Sequence, residues 1–355
     1  MTGSTEPRRA RHTNVALFVP HKGCPHRCSF CDQRVISGQT QELTPDAVTA
    51  ACRRAVDTMH TAAADSEIAF FGGSFTAVDP AVQTALLQAA FPFVQAGVFG
   101  GIRLSTRPDA IDPATLERLK RYGVTAVELG AQSMCDRVLR QNERGHTAAD
   151  VRRAAALIHT YDVSLGLQMM IGLDGSTPEQ ERETLQELLT LHPDTLRIYP
   201  LVVLKGTELA ERVQNGSFVL YDWETVLELC ADALCACRQQ GVRVIRCGLH
   251  AEDTVQSEAV AGFYHPAFRE LVESRLCLRV LKQWMQQHPQ ETMAEVQVAP
   301  GWSSRVAGHH ACNRAACREA GGSLRIIETA AIPAGMLQIG KDGYDVFQIA
   351  GTARI

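Results

Sequence analysis

The chain has 355 residues, of which 45% are hydrophobic and 21% are charged. This balance is typical of a globular protein, and the length suits one large domain with a small appendage. The net charge of −4 gives no overall positive field for nucleic acid. The polar first residues contain no apolar signal core, and no window is long and apolar enough for a membrane span. We therefore expect a cytoplasmic protein.

Short apolar segments alternate with amphipathic helical segments up to residue 200. Helices are predicted from 44–45, over 80–94, from 112–113, over a long stretch ending near 161, and from 177–178. The strands between them are predicted at 14–20, 68–71, 102–105, 124–129, 163–171 and 195–200. Six such βα units predict a parallel sheet covered by helices. Periodicity does not separate a doubly wound sheet from a barrel, but in both the carboxyl ends of the strands face the ligand.

The later part of the chain has a different pattern. We predict a helix over 221–240, a strand over 242–245, an irregular stretch to 266 and a helix over 268–288. After these come a strand at 295–299, a helix over 303–320 and strands at 324–329 and 335–339. The predicted division is a polar arm (1–12), a core (13–210), an extension of the core (211–291) and a small α+β unit (292–355).

Three cysteines lie close together in the loop after the first predicted strand, in the run CPHRCSFC at 24–31. Three thiolates at this spacing favour a metal centre, and a [4Fe–4S] cluster held by only three cysteines leaves one iron open to another ligand. A zinc site completed by His21 or His26 is the main alternative, and a disulfide framework is another. The other nine cysteines are expected to be mostly buried free thiols.

The spacing C-x3-C-x2-C, with Phe30 just before the last cysteine, resembles the cluster motif of radical S-adenosylmethionine (SAM) enzymes. The resemblance implies a [4Fe–4S] cluster on Cys24, Cys28 and Cys31, with SAM chelating the open iron. It also implies release of a 5′-deoxyadenosyl radical that abstracts hydrogen, and a reductant such as ferredoxin or flavodoxin. The fold it implies is a partial (β/α)6, TIM-like barrel, here followed by the small C-terminal α+β unit.

Further motifs at the strand ends resemble the SAM pocket of this family: FGGSF at 71–75, STRPD at 105–109, ELGAQS at 128–133, RGHT at 144–147 and LGLQMMIG at 165–172. Ser74 stands where the family often has a glutamate. The simpler alternatives are an ion pair of Arg107 with Asp109 and a helix cap at Thr147. The residues that the resemblance assigns to the pocket are Phe30, Gly72, Gly73, Ser105, Arg107, Glu128, Gln132, Arg144, Gln168 and Gly172.

The run IYPLVVLKGT at 198–207 resembles the corresponding run of the Elongator catalytic subunit, a radical SAM protein acting on the wobble uridine of transfer RNA. Together with STRPD, ELGAQS and RGHT in this order, it points to the Elongator-like group. The residues after Glu291 are too few for that subunit's acetyltransferase domain, and they contain no Gly-rich pyrophosphate loop. We therefore expect acetyl transfer to be absent.

The substrate-side candidates are Tyr199, Lys205, Arg246 and His265. The first two lie in the last strand of the core or just after it, and the other two lie in the extension, where we expect the mouth of the barrel to close. From Thr292 onward six Lys and Arg residues face five Asp and Glu residues, which is a weak basis for binding phosphate groups. A second metal site is an alternative here, with His309, His310, Cys312 and Cys317 as its ligands. Arg8, Arg9 and Arg11 of the 1–12 arm are candidates for RNA contact, and a solvated, disordered chain end is the simpler alternative.

These observations predict a radical SAM enzyme that abstracts hydrogen from a substrate the sequence does not identify, with RNA as one candidate. One alternative is an enzyme that resembles oxygen-independent coproporphyrinogen oxidase and acts on a small metabolite. The other is a non-catalytic RNA-binding protein stabilised by a metal.

Overall fold

The computed structural model describes residues 14–19, 28–32, 41–59, 63–249 and 253–348. In these ranges the helices are α1 to α12: Pro45–Met59, Pro80–Gln95, Pro113–Arg121, Asp136–Gln141, Ala148–His159, Pro178–Thr190, Glu208–Gln214, Trp223–Gln239, Asp253–Glu258, Phe268–Gln287, Ser303–Ala307 and Cys312–Glu319. The strands are β1 to β13: Asn14–Phe18, Glu67–Phe71, Gly101–Thr106, Val124–Gln132, Ser164–Ile171, Thr195–Pro200, Val202–Leu204, Arg243–Cys247, Ala259–Gly262, Met293–Val298, Ser323–Glu328, Met336–Ile339 and Asp342–Asp345.

The main sheet has seven strands in the order β1-β2-β3-β4-β5-β6-β8. The first pairs are parallel and in register, with Ala16 opposite Ala69 and Phe70 opposite Leu104. The central residues of β2 are buried on both faces, as expected for a parallel sheet covered by helices. The six predicted βα units are therefore present, and the predicted strand at 242–245 adds a seventh strand.

Polar caps begin the helices that follow the strands. Asp79 and Asp112 accept backbone N–H groups of α2 and α3, and Thr147 and Thr177 form capping boxes at α5 and α6. In each case the side chain satisfies a donor that the first helical turn leaves unpaired. Proline at the first position of α2, α3 and α6 reinforces these starts. The connections that carry the predicted site residues are thus fixed at their helix ends.

The predicted long helix ending near residue 161 is wrong in its middle. The chain forms α4 and α5, separated by residues 142–147. Glu143 and Gly145 have positive φ angles of 54° and 68°, which no α-helix contains. The structure also adds α7, α9, β7, β9 and β13 to the predicted elements. It divides the predicted 303–320 helix into α11, a short 3₁₀ turn and α12.

The density of contacts divides the chain into two compact units. The first unit contains Met1–Ala131 and Glu143–Leu167, and the second contains Gln132–Asn142 and Gln168–Ile355, so the boundary falls within β4 and β5. In the second unit β10 pairs with β11 and β12, and β13 completes a four-stranded sheet. The boundaries predicted at 210 and 291 stay predictions. No helix in the described ranges is long and apolar enough to cross a bilayer.

Candidate active site

The described part of the cysteine loop is a tight turn in the first unit. Cys31 donates its backbone N–H to the carbonyl of Cys28 at 3.0 Å, and Cys28 and Phe30 are buried. This turn keeps the second and third cysteines of the motif close together in space. Cys24, His21 and His26 lie outside the described residues, so the third cluster ligand and the zinc alternative stay predictions.

Arg144 lies against the cysteine loop. Its Nη1 donates to Sγ of Cys28 at 3.1 Å, its Nη2 donates to the carbonyl of Gly130 at 2.9 Å, and its guanidinium lies 6.0 Å from the ring centre of Phe30. Its Nε is buried and has no partner in the described part of the chain. A positive charge at this place favours negatively charged neighbours, and the buried Nε–H can donate a hydrogen bond to a further acceptor. These residues therefore fit a cluster bound at Cys28 and an anionic group beside it.

His146, two residues further on, is a buried histidine that the sequence analysis did not single out. One ring nitrogen, Nε2, lies 3.1 Å from the carbonyl of Ala131, and Nδ1 has no partner among the described residues. Burial, followed by the nearby charge of Arg144, lowers the pKa of His146 to about 4. The imidazole is therefore neutral at physiological pH.

Glu128, predicted to contact ribose, belongs to a buried ion-pair triad. Arg103 on β3 donates from Nε to Glu67 at 2.8 Å and from Nη1 to Glu128 at 3.1 Å. The side chains of Arg103 and Glu128 are each only 4% exposed. The arginine fixes the carboxylate of Glu128 on β4 and satisfies part of its hydrogen-bonding capacity. The ribose contact stays a prediction.

Ser74 connects the ends of β2 and β3. Its hydroxyl lies 2.9 Å from Oγ1 of Thr106 and accepts the backbone N–H of Arg107 at 3.0 Å. Thr76 joins the same network, with its Oγ1 2.6 Å from that of Thr106. Ser74 is buried, so in this chain the position that often carries glutamate in the family holds the two strand ends together.

The predicted pocket residues around Ser74 occupy the same strand ends. Gly72 and Gly73 have φ angles of 78° and 56°, which glycine adopts without steric cost. Arg107 forms a two-pronged ion pair with Asp109, with N–O distances of 2.9 and 2.7 Å. The arginine is buried, whereas the simpler alternative assumed a solvated ion pair. Ser105 is half-buried at the end of β3. Their contacts with SAM stay predictions.

In the second unit the structure brings Gln132 and Gln168 together. Nε2 of Gln168 donates to Oε1 of Gln132 at 3.1 Å, and Gln132 is buried. Gln132 also has a φ of 66°, an unusual conformation for a residue other than glycine. Strained backbone of this kind often occurs at ligand sites. Here the positive φ lies at the last residue of β4, where the strand ends.

Gly172, at the end of β5, is held by a carboxyl group that the sequence analysis missed. Its backbone N–H donates to Oε1 of Glu181 at 2.8 Å, and Glu181 is buried on α6. A Cβ at Gly172 would lie 3.4 Å from Phe263 and 3.7 Å from both Leu201 and Tyr221. Burial raises the pKa of Glu181 from its usual 4.5 to about 7. Nothing in a run of several glutamates distinguishes the buried one before the fold is known.

We expect Glu181→Gln to change the pH dependence of stability. Because the pKa of Glu181 is higher in the folded protein, the wild type loses stability as pH rises from about 4.5 to about 7. Glutamine keeps an acceptor for the Gly172 N–H and does not ionise, so the variant gains about 3 kcal/mol relative to wild type over this range. Urea unfolding at pH 5 and pH 8 measures this difference, with the exposed Glu295→Gln as control. If the stability difference between Glu181→Gln and wild type were the same at pH 5 and pH 8, the pKa of Glu181 would be ordinary.

The four substrate-side candidates occupy different environments in the second unit. Tyr199 is half-buried, and its hydroxyl lies 3.4 Å from Nη1 of Arg197, whereas the Lys205 side chain is exposed. Arg246 lines a cavity at the end of β8. His265 accepts the backbone N–H of Ala267 at 3.1 Å, and partial burial and then His309 lower its pKa. Their roles toward substrate stay predictions.

The remaining cysteines support neither a disulfide framework nor a second metal site. All cysteines in the described ranges are free thiols, which excludes a disulfide among them. Cys317 is buried while Cys312 is exposed, and burial raises the pKa of Cys317. No group of three or more histidine, cysteine or acidic side chains in the described ranges could hold a metal ion. The second metal site proposed for 309–317 is therefore not supported.

A family model of the radical SAM superfamily matches residues 18–188, and a model of the radical SAM C-terminal domain matches residues 193–277. The chain belongs to the radical SAM superfamily. Its members are enzymes that use a [4Fe–4S] cluster and SAM, so the predicted enzyme class and cofactors are confirmed and the non-catalytic alternative is wrong.

The curated relatives include proteins of the Elongator type, as predicted. The tRNA uridine(34) acetyltransferase of Dehalococcoides mccartyi (strain CBDB1) is 26% identical over 320 residues, which cover 80% of this chain and 70% of that protein. The protein of the same name from Methanocaldococcus infernus is 33% identical over 129 residues, which cover 36% of this chain and 24% of that protein. Human Elongator complex protein 3 is 31% identical over 179 residues, covering 50% of this chain and 32% of its own length. The chain thus spans between about a quarter and 70% of these relatives.

A solved structure shows the same fold. The archaeal Methanocaldococcus infernus Elp3 with a deleted N-terminus superposes with a TM-score of 0.59 at 22% sequence identity. The superposition covers 78% of this chain and 64% of that one. The predicted partial barrel of the radical SAM type is confirmed by this likeness and by the seven parallel strands.

Proposed function

We propose that this chain is a radical SAM enzyme that abstracts a hydrogen atom from a uridine of transfer RNA. The observation that carries the proposal is the match to a tRNA uridine(34) acetyltransferase over 80% of this chain, far beyond the cluster loop. Acetyl transfer is not part of the proposal, because the match covers only part of the relatives that bear this name, 70% of one and 24% of another. An RNA substrate is consistent with a cytoplasmic enzyme reduced by a ferredoxin or flavodoxin.

The cofactors would be held in the first unit. Cys28 and Cys31, with Cys24, are the proposed ligands of the cluster, and Arg144 is the proposed partner of the carboxylate of SAM. When bound, cluster and SAM together supply the radical that removes hydrogen from a substrate. The guanidinium of Arg144 donates to Sγ of Cys28, would balance the negative charge of a bound cluster, and keeps a buried donor, Nε, for an incoming anion. The neutral His146 adds no second positive charge that would compete with Arg144.

Other residues of this chain would hold the proposed SAM pocket in place. The triad of Glu67, Arg103 and Glu128 connects three neighbouring strands of the first unit, β2, β3 and β4. Ser74 and Thr106 fix the glycine pair next to them. Preorganised groups of this kind cost no rearrangement when a ligand binds.

The proposal is tested with anaerobically reconstituted protein, SAM, a reductant and an unmodified tRNA transcript. We expect the tRNA to increase release of 5′-deoxyadenosine at least about tenfold, and deuterium from labelled uridine to appear in that product. A transcript with cytidine in place of uridine 34 is the matched control and should lose the increase. Stimulation by coproporphyrinogen III and not by tRNA would contradict the proposal and favour the small-metabolite alternative.

A further inference from the structure

The second unit contains a cavity of about 260 Å³ at the end of β8 and the start of α10. Its walls come from the end of β8, from the first turn of α10 with the residues before it, and from α11. The polar side chains that line it are Arg246, Arg269, Glu270, Glu273 and Arg305. The cavity thus collects three guanidinium groups and two carboxylates in one place.

Glu273 fixes two of the three guanidinium groups. It accepts Nε of Arg269 at 2.9 Å and Nε of Arg305 at 2.6 Å, and its side chain is only 7% exposed. A buried carboxylate bridging two arginines holds both in defined orientations. This arrangement is preorganised and needs no ligand to form.

Backbone carbonyls fix the planes of the same two guanidinium groups. Nη1 of Arg269 donates to the carbonyl of Val244 at 3.0 Å, and Nη1 of Arg305 donates to the carbonyl of Gly301 at 2.8 Å. Nη2 of Arg269 makes no hydrogen bond within the described ranges, and this side chain is 41% exposed. A donor therefore remains available on a guanidinium whose other two nitrogens are bound.

The charges of the cavity favour a ligand with a single negative charge. Three arginines against two glutamates leave one positive charge, which matches one phosphodiester group. The first turn of α10 lines the cavity as well, and its N-cap, Ala267, gives no side-chain cap. The positive end of this 20-residue helix therefore adds to the attraction for an anion.

We propose that this cavity binds a phosphate group of the RNA backbone and so positions the substrate on the second unit. The inference rests on the proposed function for its source of phosphate. The chemistry of the site stands on the cavity itself, because Nη2 of Arg269 is the donor for the phosphate. Arg305 is held by Glu273, Gly301 and, at 3.3 Å, Glu270. A cavity of this volume accommodates a phosphate together with part of its ribose.

The test compares Arg269→Ala and Arg246→Ala with a matched control, Arg325→Ala. Arg325 is an exposed arginine of the same unit, paired with Glu295 at 3.0 Å and remote in sequence from the cavity. Binding of an unmodified tRNA transcript is followed by fluorescence anisotropy at roughly 50 to 200 mM salt, a range over which phosphate contacts make the affinity fall steeply. We expect each cavity variant to bind about tenfold more weakly and to lower the salt slope by about one, with the control unchanged. Circular dichroism verifies that each variant is folded.

A second arm uses inorganic phosphate alone, followed by broadening of its ³¹P NMR signal on addition of protein. Weaker tRNA binding and lost phosphate broadening in Arg269→Ala support the proposal. Phosphate binding that needs Arg269, in a protein that binds no tRNA, supports the phosphate site and contradicts the RNA substrate. Wild-type affinity for both probes in Arg269→Ala and Arg246→Ala would overturn the site.

Discussion

Replacement of Cys28 by alanine is expected to remove most of the bound iron and to lower 5′-deoxyadenosine release by about 100-fold or more, since even indirect partners of metal ligands cost 10- to 100-fold. Only three cysteines of the loop are available as ligands, so the loss of one leaves the cluster with two. Iron analysis and chromatography of the products after anaerobic reconstitution measure both effects.

Cys312→Ala is the matched control for this experiment. Cys312 is exposed and lies on a different unit from Cys28, so its removal should leave iron content and SAM cleavage unchanged. Arg144→Gln gives an intermediate case, because it keeps the cluster ligands and removes the charge beside Cys28. Full iron content and activity in Cys28→Ala would contradict the assignment of this loop to the cluster.

The second large effect concerns stability. Arg103→Met should lower the free energy of unfolding by about 3–5 kcal/mol, because it leaves the buried carboxylate of Glu128 and the partly buried one of Glu67 without their shared partner. The side chains of Glu67 and Glu128 are only 14% and 4% exposed, so water replaces little of the lost interaction. Urea unfolding of the reconstituted protein measures the change.

Two comparisons isolate the origin of this loss. Arg325→Met breaks an ion pair whose side chains are 64% and 40% exposed, and it should cost no more than about 1 kcal/mol. Adding Glu128→Gln to Arg103→Met should recover part of the loss, because one buried negative charge is then removed. Equal losses for Arg103→Met and Arg325→Met would show that the triad does not stabilise the first unit.

The strands of the main sheet were predictable from sequence because each is a short apolar run between helix caps. β6 was predicted at 195–200, the residues it occupies, and β2 and β3 were predicted to within one residue at either end. The segment 142–147 was not predictable in this way, since its helical composition hides two positive φ angles, at Glu143 and Gly145. Local sequence favours a helix there, and the conformation of the connection overrides it.

The side-chain partners of the site were mostly beyond sequence reasoning. Arg103 is a single charge within an apolar strand, and its partners lie 36 and 25 residues away along the chain. In the sequence, Ser74 only marks a position where the family often has a glutamate. In the structure its hydroxyl forms a hydrogen bond with Thr106, which lies 32 positions away. Contacts of this kind depend on which strands become neighbours, which a motif does not specify. The motif residues themselves, such as Arg144 beside Cys28, were identifiable because their order follows a known family.

We expect this chain to bind a [4Fe–4S] cluster to which SAM gains direct access. EPR spectroscopy of the anaerobically reconstituted and reduced protein, with and without SAM, tests it most directly. We predict a [4Fe–4S]⁺ signal whose g values change when SAM is added, together with release of 5′-deoxyadenosine. A colourless protein that holds stoichiometric zinc and leaves SAM intact would contradict the claim.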